Sequence, residues 1–243
     1  MKYLKLFEEF IGEGVNDPGI LKAFFMAGGP GSGKSYVAGE LFSVETAGFS
    51  TVSYDLGLKL VNSDQAFELL LKKEKIDMAE LMKMKDSDPE AWNKAMEIRD
   101  RAKRITKNTQ KLYLQGRLGM IIDGTGKNYS KIEKQVEELR ALGYDCYMVF
   151  VNTSKEVALK RNNARARKLP EDMVLKMWNE VQANIGKFQR LFKSKRFEIV
   201  DNSTYGDSQP IDLVAKEIRK FMKQPVSNNI GKKWLEDNKK LTK

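Results

Sequence analysis

The chain alternates short apolar runs with longer stretches in which apolar residues recur every three or four positions. Ala23-Phe-Phe-Met-Ala27 reads as a buried strand, and residues 34–45 as the helix that follows it. A second strand lies within 49–63, and 65–85 has helical periodicity up to a break at Asp86-Ser-Asp88-Pro89. There Asp88 suits an N-cap and Pro89 the first turn of a long helix running toward Gly116. Its buried stripe is Trp92, Ala95, Ile98, Ala102, Ile105, Thr109 and Leu112, while Arg101, Arg104, Asn108 and Lys111 keep the same rhythm on another face. Beyond it the pattern predicts strands over 118–123, 144–151 and 197–200. Helices are predicted over 129–142 (closed by Gly143), 154–167, 171–194 and 210–222. Strands that alternate with helices imply right-handed crossovers and a mainly parallel sheet covered on both faces, an α/β architecture. Residues 225–243, with five lysines against Glu236 and Asp237, read as a loosely attached or terminal helix.

Composition removes whole classes of chemistry. The 243 residues are 41% hydrophobic and 31% charged, which suits one sizeable globular α/β domain, and no apolar run approaches a membrane span or a secretory core. Cys146 is the single cysteine and there is no histidine. Structural disulfides, His/Cys zinc sites and histidine acid–base pairs are therefore excluded, and proton transfer falls first to carboxylates. The net charge of +10 is uneven: Arg99–Arg117 carries +6 and Lys160–Arg196 carries +8, on an otherwise mildly acidic body. Two readings stand for these segments, a polyanionic ligand larger than one nucleotide or solvated helix faces that happen to be basic.

The chemistry centres on Gly28-Gly29-Pro30-Gly31-Ser32-Gly33-Lys34-Ser35, directly after the first apolar run. This is the G-x-x-x-x-G-K-[ST] spacing of a phosphate-binding loop. Its glycines let backbone N–H groups curl toward phosphates while the following helix offers its positive end. Lys34 adds a mobile charge and the Ser35 hydroxyl a Mg²⁺ ligand. Loops of this class that hydrolyse nucleotide commonly place an acid after the later strand's Asp, but here Asp123 is followed by Gly124, and no guanine-reading Asn-Lys-x-Asp is present. A kinase needs a carboxylate aimed at an acceptor hydroxyl and mobile positive charge over the transferring group. Asp64 ends the second strand region and can be that carboxylate or a helix N-cap. Lys160 to Lys168, before Pro170, can be a phosphate-closing lid carrying Arg161, Arg165 and Arg167, or an ordinary basic helix.

The loop at 28–35, Asn62-Ser63-Asp64, Ile121-Ile-Asp123-Gly-Thr125-Gly126, and Arg161-Asn162 followed by Arg165, Arg167 and Pro170 together resemble the zeta-toxin and polynucleotide-kinase group of P-loop kinases, over roughly residues 23–202. The resemblance implies a three-layer P-loop kinase fold with a mainly parallel five-stranded sheet, helices on both faces, a helical excursion at about 65–117 and a lid at about 160–170. It implies ATP and Mg²⁺ as cofactors and transfer of the γ-phosphoryl group to a hydroxyl. Asp64 matches the general base and Arg165 the lid arginine that stabilises the transition state. Arg161 and Arg167 match neighbouring phosphate ligands, and Asp123 a residue that holds Mg²⁺ through water. Zeta toxins typically carry Glu where this chain has Asp123, and polynucleotide kinases lack the Gly-Thr-Gly, so the acceptor stays open. It is a nucleotide-like or nucleic-acid hydroxyl or, as the alternative, a UDP-activated amino sugar.

The first residues, Met1 to Gly14, place Leu4, Phe7, Phe10 and Ile11 on one side. They resemble the capsid-targeting peptides of large tailed phages, with Ile11-Gly12-Glu13 as the cut site, and otherwise read as an arm that docks on the core. The expected organisation is an N-terminal arm or targeting peptide over 1–22, a kinase domain over 23–224 and a basic tail over 225–243. The expected setting is the cytoplasm, a host's if the chain is phage-encoded and virion-packaged, with an antitoxin or capsid scaffold as partner and no membrane. The rival from another class is a nucleic-acid-stimulated P-loop NTPase.

Overall fold

The computed structural model describes residues 14–47, 50–53, 56–77, 81, 87–165, 168–204 and 206–241. Residues 1–13, which carry the peptide-like pattern, and Arg167 lie outside the described residues. One seven-stranded sheet runs in the order β2-β3-β4-β5-β1-β6-β7. Its strands are β1 (Lys22–Ala27), β2 (Glu45–Ala47), β3 (Ser50–Ser53), β4 (Leu58–Val61), β5 (Gly119–Asp123), β6 (Asp145–Asn152) and β7 (Phe197–Asp201). β4, β5, β1, β6 and β7 form the parallel five-stranded body, and β2 and β3 add an antiparallel edge. The single strand expected within 49–63 is thus two strands, β3 and β4, with Gly57 at φ +62° leading into β4.

The helices are α1 (Lys34–Phe42), α2 (Ser63–Lys73), α3 (Pro89–Gln115), α4 (Tyr129–Ala141), α5 (Lys155–Asn163), α6 (Glu171–Gln182), α7 (Ile185–Phe192), α8 (Gln209–Lys223) and α9 (Asn229–Leu241). Each face of the sheet is covered. Phe25, Met148 and Phe150 pack against Val136, Phe188 and Phe192, while Phe24, Tyr147 and Val149 meet Val37, Phe42 and Phe221 on the other side. β1 and β6 are buried along almost their whole length, as the central strands of a doubly covered parallel sheet must be. A third cluster, Phe67, Leu70 and Leu71 with Ala95, Ile98 and Ala102, joins α2 to α3 as the excursion.

Several expectations need correction. The helix expected over 65–85 is α2, which ends at Lys73. α3 does start on an Asp88 cap, whose side chain accepts from Ala91 N at 3.0 Å. Its stripe, however, leaves the core toward the C-terminus: Leu112 is 56% exposed and Tyr113 is buried in its place. A straight helix drifts by about 20° per heptad from a fixed stripe, so over 27 residues the inward position moves on by one. The helix expected over 171–194 is broken into α6 and α7, because Asn184 turns inward and donates to the carbonyls of Gly126 (3.0 Å) and Lys127 (2.9 Å). α9 packs Trp234 and Leu235 against the core. Its anchor is a buried ion cluster at the foot of the sheet. Asp145 meets Lys22 at 3.3 Å and Arg196 at 3.2 Å and accepts from Ser227 N at 2.8 Å. Burial alone would raise the Asp145 pKa, but the Ser227 hydrogen bonds and the two cations outweigh it and hold the carboxyl below its ordinary value. Cys146, beside it, is a packing residue whose thiol burial pushes up to about 12.

Candidate active site

Residues 28–35 join the buried end of β1 to α1, and their backbone takes the shape the spacing calls for. Gly31 (φ +75°) and Gly33 (φ +79°) occupy the left-handed region. A Cβ on Gly31 would press into the backbone of Ala158. Gly33 serves as the N-cap of α1 without a side-chain oxygen, and no acid follows in the first turn. The first N–H groups of α1 therefore lack side-chain acceptors and stand ready for an anion. The loop's carbonyls are tied back instead. Asn202 Nδ2 donates to Ser32 O at 2.7 Å, and Arg161 Nη1 lies 3.4 Å from the carbonyls of Gly31 and Ser32. The Ser32 hydroxyl is buried within the loop without a hydrogen-bond partner, a polar atom that a bound oxyanion would satisfy.

A relay of polar side chains crosses the strand ends in front of the loop. The Lys34 ammonium rests on Asp123 at the end of β5. The other Asp123 oxygen accepts from Asn62 Nδ2 at 2.8 Å, and Asn62 Oδ1 in turn accepts from the Asp64 N–H at 2.7 Å. The N-cap of α2 is thus Asn62, not Asp64. This removes the capping alternative for Asp64, which sits at the second helical position with its carboxylate 68% exposed. Its side-chain partner is Arg99 of α3 at 3.4 Å.

Lys34, Asn62, Asp64 and Asp123 share one cleft of about 730 Å³. It is lined by the whole 28–35 loop, Asn62, Asp64, Asp123 and Thr125, and on the far wall by Arg165, Leu169, Met173 and Met177. A side recess of about 450 Å³ opens from it past Ser35, Asn62 and Asp123, floored by Met26, Ala38, Val44, Leu60 and Leu69. The far wall combines Arg165 and Leu169 with two methionines of α6. α5 stops at Asn163, so Arg165 does not share a helical face with Arg161 as the expected 154–167 helix required. Asn162 ties the end of α5 to Leu169, accepting from Leu169 N (3.0 Å) and donating to Leu169 O (2.9 Å), and Asn163 donates to Glu171 at 2.9 Å. Arg165 is left exposed on the cleft side, whereas Arg161 is on the carbonyl side of the loop and outside the cleft lining.

Asp64, Asp123, Arg165 and the loop are therefore brought together, and Arg161 is displaced into a supporting position. Residues that sequence reasoning gave no role are Asn62 and Asn202, Phe67 and Glu68 on the cleft wall, and the methionines of α6. Asn62 had a local signal, an Asn two residues before an acid at a helix start. Asn202 had none, because its partner lies 170 positions away. The basic row Arg101, Arg104, Asn108 and Lys111 is exposed, but at about 3.6 residues per turn it falls on the opposite flank of α3's buried stripe from Arg99. Its charge is turned away from the cleft.

A family profile described as an AAA domain matches residues 24–188. No curated protein matches the chain by sequence. Among solved structures, the AvrRxo1-ORF1:AvrRxo1-ORF2 complex matches with a TM-score of 0.54 at 12% identity, over 84% of this chain and 64% of that one. The PezAT chromosomal toxin–antitoxin system of Streptococcus pneumoniae matches with a TM-score of 0.51 at 11% identity, over 84% of this chain and 87% of that one. At these identities the likeness is one of fold, the three-layer α/β fold of P-loop kinases.

Proposed function

The chain belongs to the AAA domain family, and on that premise we propose that it is an ATP-dependent kinase that moves the γ-phosphoryl group to a hydroxyl of a nucleotide-like acceptor. The carrying observation is that Lys34, Asp123, Asp64 and Arg165 line a single cleft around the 28–35 loop, with an exposed carboxylate across from the phosphate cradle.

The residues fit both cofactors. Bare N–H groups at the start of α1, the orphaned Ser32 hydroxyl and Lys34 suit a polyphosphate. One hydroxyl at Ser35 and one carboxylate at Asp123 suit Mg²⁺, which takes few protein ligands and completes its shell with water and phosphate oxygens. Together ATP and Mg²⁺ supply the transferable group and neutralise charge on its oxygens. The protein's part is positioning and electrostatics. Lys34 exchanges its Asp123 contact for phosphate oxygens, and Asn62 keeps Asp123 oriented when that happens. Asp64 accepts the proton of the attacking hydroxyl. Arg165, exposed on the cleft side beyond the end of α5, stabilises the charge of the transferring group. Arg161 supports the reaction from behind, by fixing the loop's carbonyls.

Support for a hydrolase is weaker, since Gly124 follows Asp123 where an acid would orient water. A UDP-activated amino sugar is the second acceptor reading, supported by the side recess beside Asn62 and Ser35, where Gln65, Glu68 and Lys72 offer polar contacts to sugar hydroxyls and phosphate. The matched toxin–antitoxin system makes an antitoxin-like protein partner part of the same proposal. The test is incubation with γ-labelled ATP and a panel of UDP-N-acetylglucosamine, nucleosides, a 5′-hydroxyl oligonucleotide and hydroxymethylated DNA. Label on one acceptor class supports the reading. Label recovered only as inorganic phosphate contradicts it.

A further inference from the structure

We infer that Arg99 is a positioning residue for Asp64, so that the helical excursion takes part in the chemistry by holding the base. The inference rests on the kinase reading above. Arg99 reaches Asp64 Oδ1 through Nη2 at 3.4 Å, while its guanidinium carbon lies 5.1 Å from the centre of the Phe67 ring. Phe67 is 1% exposed and locked in the cluster that joins α2 to α3. A planar cation resting on a fixed ring loses little further freedom when it grips a carboxylate.

The backbone leaves Asp64 otherwise unrestrained. Its N–H is taken by Asn62, but its side chain is 68% exposed, and no second described side chain donates to it. Arg99 does not line the cleft, and its contact with the site is the Asp64 carboxylate, through which it acts. Two properties follow. The contact biases the carboxylate toward the orientation seen here, and the packing of Ile98 and Ala102 against α2 sets where Arg99 stands. In a loose phosphoryl-transfer transition state, aim matters more than base strength, so losing this grip costs turnover rather than donor binding.

The test uses the full chain with γ-labelled ATP, and UDP-N-acetylglucosamine and a 5′-hydroxyl oligonucleotide as acceptor probes. Arg99→Ala is expected to lower kcat for label transfer about three- to fivefold, leaving KM for ATP within twofold and the thermal midpoint unchanged. Arg99→Lys, which keeps the charge but not the planar stack, is expected to recover part of the loss. Asp64→Asn run in parallel separates the failures. If Asp64→Asn abolishes transfer while Arg99→Ala matches the wild type, the positioning role is overturned and the kinase reading stands. If the wild type labels no member of the full acceptor panel, or Asp64→Asn transfers normally, the underlying reading falls and this role with it. A parallel rise of KM for ATP and fall of stability in Arg99→Ala would mark a structural contact and also overturn the assignment.

Discussion

Asn202→Ala tests whether the phosphate loop is shaped from behind. Asn202 is 7% exposed and gives the 2.7 Å hydrogen bond to Ser32 O, which otherwise has only the long 3.4 Å contact from Arg161. Leaving a buried carbonyl unsatisfied costs about 1–3 kcal/mol, and the remaining Arg161 contact puts the expected loss near the lower half, about 1–2 kcal/mol. In a chain of this size that lowers the thermal midpoint by about 2–8 °C. The same carbonyl fixes the turn that presents the loop's N–H groups, so ATP affinity is expected to fall about 5- to 30-fold, the same energy expressed in a dissociation constant. Thermal unfolding read by circular dichroism, without ATP and across an ATP series, separates the two effects, since ligand stabilises by RT ln(1 + [L]/Kd). Arg161→Ala is expected to shift both quantities in the same direction by under about 1 kcal/mol, because its hydrogen bonds are at the long limit. The double variant should lose more than the sum. An Asn202→Ala protein with unchanged midpoint and unchanged ATP affinity would refute the argument. So would an Arg161→Ala protein that binds ATP normally and fails only in turnover, which is the lid behaviour the sequence pattern suggested.

Two further outcomes follow from the same structure. Arg165→Ala removes a cation that lines the cleft across from the phosphate loop, so turnover should fall by about 10²-fold or more while ATP affinity changes by less than about threefold, measured by single-turnover transfer and calorimetry. Asp145 has its pKa held down in the folded protein, so its stabilisation is present at neutral pH and is lost as pH falls below about 4 through the folded value. Urea unfolding should show the midpoint dropping across that window. Asp145→Asn should show a shallower acid loss and, with Lys22 left unpaired, a protein weaker at pH 7 by about 3 kcal/mol.

The legible parts of this molecule are those set by local chemistry. Gly31 and Gly33 announce their left-handed backbone, Asp88-Pro89 announces a helix start, and the apolar runs at Ala23–Ala27 and Tyr144–Val151 announce strands buried on both sides. β2 did not show because it is only three residues, Glu-Thr-Ala, and β3 (Ser-Thr-Val-Ser) merges with β4 in the one strand expected within 49–63. The break at Ala183–Asn184 did not show because a helix-compatible sequence is interrupted there by a tertiary demand, the buried carbonyls of Gly126 and Lys127. The candidate site divides the same way. Lys34, Ser35, Asp64 and Asp123 stand in recognisable strings, but the bonds that orient them come from Asn62, Arg99 and Asn202, whose partners lie 61, 35 and 170 residues away. A run of arginines on one predicted helix gave Arg161 and Arg165 a common role, and the end of α5 at Asn163 parts them.

The most direct measurement follows the γ-phosphorus of labelled ATP in the presence of the acceptor panel, with wild-type protein and with Asp64→Asn. Wild-type protein should place the label on a hydroxyl of one acceptor class. Asp64→Asn should bind ATP within about twofold of the wild type and transfer at least about 10²-fold more slowly. Undiminished transfer by Asp64→Asn, or label released to water by the wild type whatever acceptor is present, would contradict the account.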